Sequence, residues 1–125
     1  MKVEPAAPDL IETARAVLVN ELVAHLPQSQ RYPALMAANA LAIAARDIAA
    51  VASAPAELDR MTALIGERQS AGGPVQDLRA ATALLAARVR EGRFDRGPAR
   101  ASLLAHLRAT TAERLAVSNP KILKR

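Results

Sequence analysis

The sequence predicts an all-α fold, and three observations carry that expectation. Half of the 125 residues are apolar, but the bulk of them is Ala and Leu, the strong helix formers. The aromatic residues that favour strands are nearly missing, with one Tyr, one Phe and no Trp. Eight prolines punctuate the chain, five of them standing just before a segment whose apolar residues recur at helical spacing. Proline is accepted in the first helical turn because its missing N–H would have no partner there. A chain of this length fits one domain and buries enough surface for one core. The expectation is a compact bundle of about five helices in a single domain, with a short flexible leader and a basic C-terminal tail.

Pro8, Pro33, Pro55, Pro74 and Pro98 mark the five starts, and the spacing predicts helices over roughly 8–26, 33–53, 55–68, 74–91 and 98–118. In the first, Leu10, Ile11, Ala14, Leu18 and Leu22 share a face at 100° per residue. Pro27 is placed to stop it, and Gln28–Tyr32 reads as a short polar link. The second helix is apolar nearly all round, which marks it as the central helix. The third leads to the flexible Ala71-Gly72-Gly73 turn. The fourth offers Val75, Leu78, Thr82, Leu85 and Val89 as a stripe free of charge, and Gly92 suits a left-handed cap at its end. Phe94, in the loop that follows, is placed to plug that loop onto the bundle. The fifth buries Leu103, Leu104, Leu107, Thr111 and Leu115, with His106 on its polar side, and stops near Ser118-Asn119 ahead of Pro120.

Charge is unevenly placed. Residues 1–60 carry five basic and seven acidic side chains, and residues 61–125 carry twelve and five. The basic half admits an anionic partner, a CoA phosphate or nucleic acid, or simply a solvated Arg-rich surface. With no aromatics interleaved for base stacking, nucleic acid is the weaker expectation. There are no cysteines, so disulfides, thiolate nucleophiles and Cys-based zinc sites are excluded. The longest apolar run, near Ala40–Ala45, is far short of the ~20 residues that span a bilayer. The expectation is a cytoplasmic protein that does not enter the membrane.

Several polar residues fall on faces expected to be apolar. Glu21 and His25 lie one turn apart on the first helix, Tyr32, Asn39 and Arg46 follow at intervals of seven with Asp47 beside them, and Arg114 sits within the Leu arc of the last helix. A buried charge costs several kcal/mol unless it is paired. Three readings stay open: a structural network between the first, second and fifth helices, a partner or ligand surface, and catalysis by Glu21 and His25. In the network, Glu21 and Asp47 would accept and Arg46 and Arg114 would donate. No His-Glu-x-x-His, Asp-rich loop or phosphate-cradling Gly loop occurs, and Glu21 with His25 is the sole acid/base pair in sequence reach. No metal, cofactor or catalytic residue is expected.

The stretch Arg31-Tyr32-Pro33-Ala34-Leu35-Met36-Ala37-Ala38-Asn39-Ala40-Leu41-Ala42-Ile43-Ala44-Ala45-Arg46-Asp47, joined by Glu91-Gly92-Arg93-Phe94-Asp95 and by Leu107-Arg108-Ala109 with Arg114-Leu115-Ala116-Val117-Ser118-Asn119-Pro120-Lys121, resembles a bacterial family of small helical domains of unknown function. The resemblance covers nearly the whole chain and is weak around residues 53–76. Members of that family are typically encoded beside, or fused to, an aminoglycoside-phosphotransferase-like kinase, and often near acyl-CoA dehydrogenases. The resemblance implies a non-catalytic accessory subunit of a kinase acting on hydroxyacyl-CoA substrates. Tyr32, Asn39, Arg46, Asp47, Phe94, Asp95, Arg114, Ser118, Asn119 and Pro120 match the family pattern, with Asp47 standing where Glu is expected. The partner it implies is a kinase-like protein. A homodimer is a further expectation, because a slim Ala-rich bundle leaves apolar surface to cover.

Overall fold

The computed structural model describes residues 4–125, and among them every regular element is helical. The all-α class is therefore as expected. The chain divides into two compact units, one ending at Val51 and the other spanning Ala52–Arg125.

The first unit is a helical hairpin of α1 (Ala7–Val17) and α2 (Gln28–Ala50). The Asp9 carboxylate accepts the Ala6 N–H at 3.2 Å and closes the start of α1. The single helix expected over 8–26 changes pitch on the way: a π turn occupies Leu18–Leu22 and a 3-10 turn Val23–His25. The face of α1 that is covered is also rotated from the expected one. Ile11, Arg15, Leu18 and Val19 are half-buried, whereas Leu10, Ala14 and Leu22 are exposed. The Glu12–Arg15 ion pair, at 2.6 Å, lies along this half-covered face.

Pro27 opens the next helix rather than merely closing the first. It is the N-cap of α2, and its carbonyl accepts the Gln30 N–H at 2.8 Å. The expected link Gln28–Tyr32 is therefore the first turns of α2, and Pro33 lies inside the helix. Arg31 ties the preceding turn to the start of this helix. Its Nε donates to the Leu26 carbonyl at 3.2 Å, its Nη2 to the Ala24 carbonyl at 3.4 Å, and its Nη1 to Gln28 Oε1 at 3.1 Å. One guanidinium thus bridges carbonyls of the irregular turn and the start of α2. The buried residues of α2 are Ala38 and Ala45, one heptad apart, with Leu41 and Ala42 half-buried between them. The expectation of a buried central helix does not hold, since Leu35, Met36 and Ile48 are exposed. The helical stretch Gln28–Ile65 contains an 18-residue window of mean hydropathy 1.5, long and apolar enough to cross a membrane by composition alone. The α2 helix carries Arg46 and Asp47, each costing ~2.5–3.5 kcal/mol at the centre of a membrane-inserted helix.

The second unit is built from α3 (Ala54–Ile65), α4 (Pro74–Arg90) and α5 (Gly97–Ser118), closed by a 3-10 turn at Pro120–Lys124. Gly66 ends α3 three residues earlier than expected, in the left-handed region at φ 88°, with its N–H on the Thr62 carbonyl at 2.8 Å. The link to α4 is tied at both ends: Arg68 pairs with Asp59 at 2.7 Å, and the Asp77 carboxylate accepts the Ala71 N–H. Gly92 takes the left-handed conformation expected of it, at φ 82°. Phe94 is buried as expected, in a core with Leu58, Met61, Ala81, Leu85 and Leu103, against which Leu64, Ile65, Leu78 and Ala99 pack. The buried stripe of α4 runs through Ala81 and Leu85 with Leu78 half-buried, while Val75, Thr82 and Val89 of the expected stripe are exposed.

Candidate functional site

On α5 the expected and observed buried faces differ most, and the difference creates the two features that could serve a function. Leu103, His106 and Thr110 are buried, with Ala99, Glu113 and Val117 half-buried on the same arc. Leu104, Leu107 and Thr111, expected in the core, are exposed. About 120° separates the two arcs at 100° per residue.

The inward arc forms a polar seam with α3. Arg60 Nη2 donates to Glu113 Oε2 at 2.8 Å, with each side chain about one-third exposed. His106 is only 5% exposed, and its Nδ1 has no hydrogen-bond partner, nor do the buried Thr110 Oγ1, Thr62 Oγ1 and Arg60 Nε. Its pKa is lowered, first by desolvation and then by the Arg60 charge; Glu57 and Glu113 oppose the shift and Arg114 adds to it. The imidazole is held neutral at physiological pH, packed as a core side chain with no approach for a substrate.

The outward arc forms an open groove of about 370 Å³ lined by Leu104, Leu107, Arg108, Thr111, Ala112, Leu115 and Leu123. The 3-10 turn at Pro120–Lys124 supplies Leu123 as one wall; Asn119, the C-cap of α5, donates its N–H to the Leu115 carbonyl at 2.8 Å and accepts the Ile122 N–H at 3.2 Å. Ile122 and Leu123 are about half exposed. Arg108 lines the groove, and Lys121, Lys124 and Arg125 lie in the turn that walls it and just beyond. The one carboxylate of α5, Glu113, is engaged by Arg60 on the inward arc. An apolar trough with a cationic end is suited to an amphipathic surface bearing acidic groups.

The residues singled out from the sequence fall in both units. Glu21, His25, Tyr32, Asn39, Arg46 and Asp47 belong to the first unit, and Arg114, Ser118 and Asn119 to the second. Glu21 and His25 are exposed and sit in the π turn and the 3-10 turn, so the regular one-turn spacing assumed for them is absent. Tyr32, Asn39 and Asp47 are exposed along α2, and Arg46 is half-buried. Burial was the reason to expect a network among them, and that reason is removed for all but Arg46. Arg114 is exposed beside the seam, close enough to act on the His106 charge. Ser118 ends α5 and donates its hydroxyl to the Arg114 carbonyl at 3.1 Å. The seam residues Glu57, Arg60, His106, Thr110 and Glu113 were missed. The 103–106–110–113–117 register that sets three of them, His106, Thr110 and Glu113, against α3 is visible in the sequence only if His106 is allowed indoors. Among the described residues no group of three or more His, Asp or Glu side chains is placed to hold a metal.

Within the basic half, Arg88 and Arg93 are both paired with one carboxylate: each reaches Glu91 Oε2, at 3.3 and 3.0 Å.

No curated protein and no solved structure matches the chain significantly. A family described as a domain of unknown function, DUF6285, matches residues 24–122, from the turn before α2 to the closing turn that walls the groove and leaving α1 outside. The chain belongs to that family.

Proposed function

We propose that the chain is a cytoplasmic, non-catalytic accessory subunit that binds an aminoglycoside-phosphotransferase-like kinase acting on hydroxyacyl-CoA substrates. The observation that supports a protein-binding role is the groove on α5, where Leu104, Leu107 and Leu123 stand open to solvent in one trough. Burying a leucine side chain is worth ~1.5–3 kcal/mol, so a partner that fills this groove gains a compact energetic centre. The kinase as the occupant follows from the family resemblance. In this scheme the kinase carries the phosphoryl-transfer groups, and the helical chain supports its folding or activity.

Co-expression with an aminoglycoside-phosphotransferase-like kinase from the same cell, with the tag on this chain, tests the proposal. Recovery of the kinase at comparable stoichiometry is the expected result, and Leu107→Glu should abolish it while leaving the melting temperature unchanged. Full recovery with Leu107→Glu would remove the groove from the interface. Failure of the wild-type chain to retain the kinase would end the kinase reading.

A further inference from the structure

The hairpin covers only one side of α2. Ala38 and Ala45 are buried, and on the opposite side Tyr32, Met36, Ala40, Ile43 and Asp47 fall within an arc of about 80° at 100° per residue. Tyr32 is 73% and Met36 52% exposed, Ala40 and Asp47 are exposed and Ile43 is half-buried. The order along this stripe is symmetric about its middle. A hydrogen-bond donor, Tyr32, ends one side and an acceptor, Asp47, ends the other; Met36 and Ile43 lie inside them, and Ala40 is central with Asn39 beside it.

We infer that two copies of the chain pair through this stripe, their α2 helices antiparallel about a two-fold axis next to Ala40. In that register the Tyr32 hydroxyl of one protomer donates to the Asp47 carboxylate of its partner, twice. Met36 packs on the partner's Ile43, also twice, and Ala40 lets the backbones approach at the crossing. A two-fold contact requires a surface complementary to itself, and this stripe carries both halves of each pair at matched distances from its centre. A foreign helix would have to supply an acceptor at one end and a donor ~22 Å away at the other. Charge permits the pairing: residues 1–51 hold four basic and five acidic side chains, a net of −1, whereas residues 52–125 hold thirteen and seven, a net of +6. Two hairpins joined in this way make a layer of four helices with the two α2 helices inside, each covered on both sides. The inference does not depend on the kinase.

Sedimentation equilibrium of the full chain, with single-cysteine cross-linking, tests it. The chain has no native cysteine, so each introduced one reports a single site. The expected result is a dimer whose dissociation constant rises at least about 100-fold in Met36→Glu and about tenfold in Tyr32→Phe. Ala40→Cys should cross-link to itself under mild oxidation, and Tyr32→Cys should cross-link to Asp47→Cys in a mixed sample but not to itself. A wild-type monomer, efficient Tyr32→Cys homodimers, or cross-linking by Leu107→Cys in place of Ala40→Cys would overturn the proposal. So would a monomer that sediments with phosphatidylcholine vesicles, which would give this side of α2 to a lipid surface.

Discussion

His106 shows how one buried side chain couples pH to stability. Its folded-state pKa is lowered below 6.5, chiefly because burial disfavours the imidazolium and because Arg60 faces it. The unfolded chain therefore takes up the proton first as the pH falls. Stability contributed by the neutral imidazole is complete above pH 6.5 and is lost as the pH falls through 6.5 towards the folded-state value. Urea midpoints at successive pH values should drop below pH 6.5 in the wild type, and the drop should be smaller in His106→Leu. An equal drop in both would place the acid sensitivity elsewhere. Gly92 carries a different constraint. At φ 82° a Cβ would meet Asp95 Oδ2 at 3.0 Å, so Gly92→Ala should cost about 1–2 kcal/mol, read from the denaturation midpoint. Met61, 2% exposed in the centre of the second unit, should cost ~2–5 kcal/mol on truncation to Ala.

Among the helices, the number and order were legible in the sequence, because proline and glycine act locally. Pro74 and Pro98 lie in the first turns of their helices, and Gly66 and Gly92 bring the chain out of α3 and α4 in the left-handed conformation. The buried faces were not legible, for a reason particular to this composition. Leu and Val were read as markers of burial, yet Ala38, Ala45, Ala54 and Ala81 occupy contact positions while Leu104, Leu107 and Val75 stay outside. Where small residues allow close approach, bulk no longer indicates which side of a helix is covered. The same error hid the seam, because His106 follows the face of Leu103 and not that of Leu104. Pro33 escaped for another reason: nothing in its own pattern shows that Arg31 will hold the turns before it. Pro33→Ala restores one ladder hydrogen bond to α2 and should raise stability by about 1–2 kcal/mol, after the entropy gained by the unfolded chain is counted. An unchanged or lower melting temperature would mean that the missing ladder hydrogen bond at Pro33 costs the folded hairpin nothing.

At the scale of the whole molecule, two exposed apolar surfaces sit in regions of different charge, and salt should tell them apart. The α2 stripe belongs to a region of net −1, so a dimer made through it should keep nearly the same dissociation constant between low and moderate ionic strength. The α5 groove has Arg108 in its lining and Lys121, Lys124 and Arg125 at the closing turn, so a complex with an acidic partner should weaken as salt is added. Titrating both associations with sodium chloride reads the two slopes directly. A steep loss of the dimer with salt would point to the basic surface as its interface.

The π turn at Leu18–Leu22 has a consequence for how this chain tolerates changes of length. A π turn is what an α-helix becomes when one residue is inserted and the elements on either side keep their places. Removing a single residue between Val17 and Val23 should therefore be accepted, converting the wide turn into regular helix without moving the ends of the hairpin. Removing one residue from α1 between Ile11 and Arg15 would instead rotate Ile11 by about 100° relative to Arg15 and Leu18 and take it off the half-buried face. The first segment of the chain, which lies outside the family match, thus carries its own allowance for one-residue drift, confined to the five positions before the hairpin turns back.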